Sequence, residues 1–237
     1  MLYQTDFYTP IADFSNVYSA MAVKIHGAAM KAIPTELAQV LHRQEYHPFS
    51  IFTVFTDEYL IIRVSALTDE AAVISECLKK KGEITVAGIK EPLKIIGINE
   101  AVPVKADSVG NLIKGNSFRI SFVTPAVIKS GGKLVCKPEI SKYFYSTVQK
   151  YNIFEEDSIS FEEFKEAFDA AYVKGYELKG VSYNVSGNIF PGMTGYADIK
   201  LPYNEKESEI IKKAAAYASY SGIGGKTALG MGGIVIS

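Results

Sequence analysis

Thiol and imidazole side chains are scarce in this 237-residue chain: two cysteines, Cys77 and Cys136, and three histidines, His26, His42 and His47. That set cannot make a Cys-rich zinc framework; no metal or cofactor is expected. No apolar run approaches the ~18 residues that span a bilayer. The first residues, MLYQTDFYTP, lack the basic start and apolar stretch of an export signal. The chain is therefore expected to be cytoplasmic and free of membrane, with its thiols reduced and packed rather than paired. Neither sign of charge dominates: 25 basic and 26 acidic residues leave a net charge of −1. Taken whole, that argues against a nucleic-acid partner. What the chain does have is material for a core. A hydrophobic fraction of 48% with 22% charged residues excludes disorder and fits one large domain or two small ones.

Periodicity gives helices and strands mixed throughout. Leu2 to Tyr8 fits a strand, and Asn16 to Ile33 a helix with Met21, Ile25, Ala28 and Ala29 on one face. Pro34 restarts the chain in a short helix ending near His42. Phe49–Phe55 and Tyr59–Val64 fit a hairpin. A helix over Asp69–Lys80 and strands near Ile84 and over Leu93–Asn99 complete the order β-α-β-β-α-β of a ferredoxin-like unit. The polar stretch Asp107–Asn116 is the candidate linker. Beyond it, Phe118, Ile120 and Phe122 alternate as a half-buried strand. Helices are expected over Glu139–Tyr151 and Phe161–Tyr172, the latter with a Ser160/Glu163 capping box and a buried stripe of Phe161, Phe164, Phe168 and Tyr172. Strands over Tyr176–Val185 and Gly195–Leu201, a helix over Glu205–Tyr220 and a terminal strand at Ile234–Ile236 follow. The expected fold class is α+β: two tandem ferredoxin-like (βαββαβ) units, residues 1–116 and 117–237, with a C-terminal glycine-rich loop.

Ser221 to Gly233 reads SGIGGKTALGMGG, with six glycines in thirteen positions. Glycine lets backbone N–H groups approach a phosphate closely, and Lys226 adds a point charge. The spacing nevertheless rejects a P-loop, which needs glycine where Tyr220 stands. It also rejects a dinucleotide fingerprint, which needs glycine where Thr227 stands. The segment is either a terminal loop or a built one, and its ending in a strand favours the second.

GIGGKTALGMG resembles the signature of the CRISPR-associated endoribonucleases that process precursor transcripts into guide RNAs, within the repeat-associated RNA-binding superfamily. Gly222, Gly224, Lys226, Thr227, Gly230, Met231 and Gly232 fall on its G-x-G-x-K-[TS]-x-x-G-[FM]-G pattern, and Gly225 lies inside it. Gly27 in the first helix and the segments LAQVLH, IIRVSAL, FVTPAVI and FPGMTGY extend the agreement over most of the chain. The resemblance implies a metal-independent endoribonuclease that cleaves CRISPR repeat RNA. The 2′-OH attacks the adjacent phosphate, leaving a 2′,3′-cyclic phosphate and a 5′-OH. It also implies His42, in the L-x-x-x-L-H segment Leu37–His42, as the principal catalytic residue. His47 stands near the family's lysine. Met30 occupies the place of a tyrosine found in three-residue sites; His26, one turn earlier, either substitutes for that tyrosine or simply packs. Histidine serves as acid or base at neutral pH, and the residues leave open which of His42 and His47 does which. Beyond the RNA, the resemblance allows subunits of an interference complex, or a second copy of the chain, as partners. A non-catalytic guide-RNA-binding subunit of such a complex is the alternative function.

Divided along the chain, the charge changes meaning. Seven acids fall in Glu155–Asp169, whereas residues 118–150 carry six cations against Glu139 alone. Arg119, Lys129, Lys133 and Lys137, with Lys226 and the glycine segment, are the expected RNA contacts. Tyr143 and Tyr145 are candidates for stacking on bases.

Overall fold

The computed structural model describes residues 1–10, 21–136, 139–185 and 187–237. Strand β1 (Tyr3–Pro10) leads to helix α1, described over Met21–Ala32, which buries Met21, Ile25, Ala28 and Ala29 at helical spacing. The expected start of that helix at Asn16 lies outside the described residues. Pro34 opens α2 (Thr35–Arg43), whose buried residue is Leu41. A turn at Asp57–Glu58, with the Thr56 hydroxyl accepting from the Tyr59 N–H at 2.9 Å, joins β2 (Phe49–Phe55) to β3 (Tyr59–Ala66). Helix α3 (Asp69–Lys81) is capped by Thr68, whose side chain accepts from Ala71 N–H, and its last turn holds Lys79, Lys80 and Lys81, where cations suit the helix dipole. The short strands β4 (Glu83–Ile84) and β5 (Leu93–Lys94) pair with each other, and β6 (Gly97–Glu100) closes the first sheet. Its strand order is β2-β3-β1-β6, antiparallel throughout.

The expected linker is not a loose one. Ala106–Leu112 forms a 3-10 helix that buries Ala106 and Val109, because apolar residues recur through its polar sequence. Then come β7 (Ser117–Ala126), the small hairpin β8 (Ile128–Ser130) and β9 (Lys133–Val135), and helices α4 (Ile140–Phe154) and α5 (Phe161–Ala170). The long hairpin β10 (Tyr172–Val185) and β11 (Asn188–Lys200), helix α6 (Glu205–Ser221), a 3-10 turn at Thr227–Leu229 and β12 (Ile234–Ile236) complete the chain. The second sheet has the order β10-β11-β7-β12, the first sheet's topology repeated. Both are ferredoxin-like.

Two expectations about aromatic residues need correction. Phe164 and Phe168 are buried, but Phe161 is 44% and Tyr172 64% exposed, because α5 ends at Ala170 and Tyr172 already belongs to strand β10. Tyr143 is fully buried against Phe122, so it cannot stack on a base. Both cysteines are free, and among the described residues no helix is long and apolar enough to cross a membrane.

The glycine segment joins the two units and is largely buried. Ala228 belongs to the first unit's core, and the Ser50 hydroxyl donates to the carbonyl of Tyr220 at 2.7 Å. A Cβ at Gly230 (φ +93°) would lie 2.1 Å from Cβ of Ala22 on α1, and one at Gly232 (φ +67°) 1.9 Å from the Ile223 carbonyl oxygen. Glycine is required at both positions on steric as well as dihedral grounds. Gly27, helical and with nothing within 4 Å of a built Cβ, is the contrasting case. Gly230→Ala should destabilise the protein by about 2 kcal/mol or more, whereas Gly27→Ala should stabilise it by about 0.5–1 kcal/mol. Urea unfolding of the two variants checks both signs.

Candidate active site

The three histidines converge from different elements. His26 projects from α1, His42 lies in the last turn of α2, and His47 occupies the turn into β2. The rings of His26 and His47 lie 6.4 Å apart, and both pack on Phe49, at 5.8 and 5.5 Å. His47 is half-buried, with Nδ1 2.9 Å from the carbonyl oxygen of Leu41. In neutral imidazole that contact makes Nδ1 the donor and leaves the Nε2 lone pair available. Burial holds the His47 pKa below the ordinary histidine value, helped by the charges of Lys150 and His42 and opposed by the Leu41 bond. His26 is lowered further, to about 4, first by burial and then by His47 and His42. It hydrogen-bonds the backbone of Ala228, and its Nδ1 is buried without a partner. His42 is exposed.

Across from His47 stands a residue that the sequence reading counted only as surface charge. Lys150, on α4, is 5% exposed. Its ammonium donates to the Ser221 carbonyl and to the Thr227 hydroxyl, each at 2.6 Å. Burial lowers its pKa to about 7. The signal was available: Tyr143, Thr147 and Tyr151 define a buried stripe on α4, and position 150 falls on it, where an unpaired lysine is costly.

These elements enclose a cleft of about 750 Å³ between the units. His47, Glu45 and Tyr46 come from the first unit, Lys150 and other α4 residues from the second, and Gly224 to Thr227 from the glycine segment. Lys129 lines it too, while Lys133 is an exposed residue of the same β8–β9 hairpin. Arg119 is elsewhere. It sits seven residues along β7 from Ala126, about 24 Å at strand rise, and is held by Asp198 at 2.7 and 2.8 Å and over the ring of Tyr196 at 3.9 Å. Lys137 lies outside the described residues.

The glycine segment is built differently from a phosphate cradle. The N–H groups of Ile223, Gly224, Gly225, Leu229, Met231 and Gly232 all donate to protein carbonyls, and that of Gly233 donates to the Thr124 hydroxyl. The amides of Gly224 and Gly225 are therefore already used, on Tyr143 and Val127. Gly222 and Gly230, like Gly224, serve close packing. Among the described residues, Lys226 is the non-glycine residue with positive φ, at 60°. Its ammonium lies 4.8 Å from the centre of the Phe190 ring, a cation–π contact at the cleft. Among the described residues, no group of three or more His, Cys, Asp or Glu side chains is placed to hold a metal ion.

Comparison with known proteins finds similarity to one group of proteins. The model of CRISPR-associated endoribonuclease Cas6 matches residues 120–234. A CRISPR-associated endoribonuclease Cas6 of Streptococcus thermophilus is 28% identical over 220 residues, covering 90% of each chain. The chain is thus similar to the CRISPR-associated endoribonucleases in each comparison. The Mycobacterium tuberculosis member is 25% identical, over 89% of this chain and 69% of its own. A solved Cas6 product complex superposes with a TM-score of 0.81 at 20% identity, covering 100% of this chain and 99% of that one, so the tandem ferredoxin-like fold is shared.

Two of the three depressed bases, His26 and Lys150, should register in stability over windows set by their values. Each binds fewer protons folded than unfolded within its window, so stability rises with pH there. For His26 the window runs from about 4 to 6.5, and for Lys150 from about 7 to 10.5. Urea unfolding across pH should show both rises, and Lys150→Met should abolish the upper one alone.

Proposed function

We propose that this chain cleaves CRISPR repeat RNA within the precursor transcript by metal-independent attack of a 2′-OH on the adjacent phosphate. The products are a 2′,3′-cyclic phosphate and a 5′-OH end, and the released pieces are guide RNAs. The observation that carries this is the meeting of His47, Lys150 and the glycine segment in one cleft between two ferredoxin-like units. The reaction needs a base for the 2′ proton, an acid for the departing 5′ oxygen and a cation for the charge that develops on phosphorus.

His47 suits the base. Its lowered pKa keeps it neutral at pH 7, and the Leu41 carbonyl fixes the tautomer that leaves Nε2 free to accept. His42, exposed at the end of α2 and close enough for its charge to act on His47, supplies the proton to the leaving oxygen. Lys150 directs its ammonium into the cleft floor and stabilises the phosphorane-like charge. Lys129 and Lys226 hold neighbouring phosphates. Met30 has no proton to give and takes no part. His26, buried with its pKa near 4, is a packing residue rather than an acid.

Incubation with the repeat RNA of its own array in EDTA tests the reading. Cleavage should persist, leave cyclic phosphate ends, and stop when the nucleotide at the cut is 2′-deoxy. His42→Ala and His47→Ala should each slow it by about 10²-fold or more. Undiminished cleavage by His42→Ala would overturn the site. The kcat/KM profile should fall on its acid side below the usual histidine range, as His47 protonates. On its basic side it should fall both because His42 must carry the proton it donates and because Lys150 loses its charge near pH 7. Lys150→Arg, always charged, should make that basic limb shallower, even at reduced rate, because one of the two proton losses behind it is removed.

A further inference from the structure

The cleft face of α4 has an unusual composition for a helix stripe. Lys142, Tyr145, Ser146, Gln149 and Lys150 line it, at the i, i+3, i+4, i+7 and i+8 spacing that elsewhere in the molecule carries apolar residues into a core. Lys150 stands at the cleft floor and Lys142, which pairs with Glu139, two turns away. Between them lie an aromatic ring and a side-chain amide. Tyr145 is held edge-on by Phe161 and Phe164, at 6.1 and 6.3 Å. Gln149 is half-buried, one turn beyond Tyr145 on α4, and its side-chain amide makes no hydrogen bond to another described side chain or backbone group. Glu45 and Tyr46 face this stripe from the first unit.

A cleft of about 750 Å³ is the size of a small-ligand site, too narrow for a duplex and ample for one nucleotide. An immobilised aromatic ring offers a stacking surface that is blind to base identity. A carboxamide, presenting one donor edge and one acceptor edge, distinguishes bases by their hydrogen-bonding pattern. We propose that this pocket takes one unpaired nucleobase next to the cleaved bond, stacked against Tyr145 and read by Gln149. The inference rests on the nuclease reading above and deepens it. The phosphate beside that base lies at Lys150, and the pocket gives the enzyme a sequence preference at a single flanking position.

The test is cleavage of repeat RNAs in which each nucleotide flanking the cut is changed in turn to the other three bases. The wild-type protein should prefer one base at one flanking position by about tenfold, the discrimination of a two-bond base contact. Gln149→Ala should reduce that preference to about twofold or less. Gln149→Glu, which only accepts, should shift it toward a base presenting a donor. Equal preferences in wild type and both variants would overturn the pocket assignment and leave the nuclease reading standing, as would a wild type indifferent to every flanking base. A wild type that cuts none of these RNAs would sink the nuclease reading, and this inference with it.

Discussion

The whole arrangement depends on how closely backbone can approach backbone along the glycine segment. Ile223 to Gly233 runs through the seam between the two units, its amides bonded to β7, α4 and its own turns. Where a side chain would begin, another residue already stands: Ala22 opposite Gly230 and the Ile223 carbonyl opposite Gly232. This packing sets the Thr227 hydroxyl and the Ser221 carbonyl around Lys150. It also sets Ala228 against His26. The histidines of the first unit and the buried cation of the second are placed relative to each other by this one segment.

Electrostatics then follows from burial more than from charge count. Net charge is −1, and Arg119, one of the exposed cations, is neutralised by Asp198. The cations that matter in the cleft are few and individually placed. Lys150 is desolvated and Lys226 rests on Phe190. On the proposed reading, RNA is recognised here through shape and particular contacts, with a modest salt dependence.

Much of the fold was legible because its signals are local. Pro34 before α2, Thr68 before α3, Ser160 before α5 and the alternation of Phe118, Ile120 and Phe122 each mark an element within a few residues. The repeat of one topology followed from element order. The candidate site was legible only in part. The histidines and the glycine segment stand out by scarcity and by density. Lys150 and Gln149 do not, since their roles come from the direction of α4 and from what α6 and the glycine segment lay beside it. The glycines also show how composition can suggest the wrong reason for the right segment. They read as a phosphate cradle, but the amides of Gly224 and Gly225 bond to Tyr143 and Val127, because only tertiary packing reveals where an N–H points. Arg119 was grouped with the basic stretch by sequence proximity, yet β7 carries it to the far end of the sheet.

The cleft draws one wall from each unit, and neither wall is a site alone. Two copies of one topology are usually free to diverge, each mutation answering only to its own core. Here a substitution in α1 that shifts Ala22 also moves Gly230, and through the segment the partners of Lys150 on the opposite wall. The two halves of this chain are therefore coupled through packing, and the glycine segment is where that coupling runs.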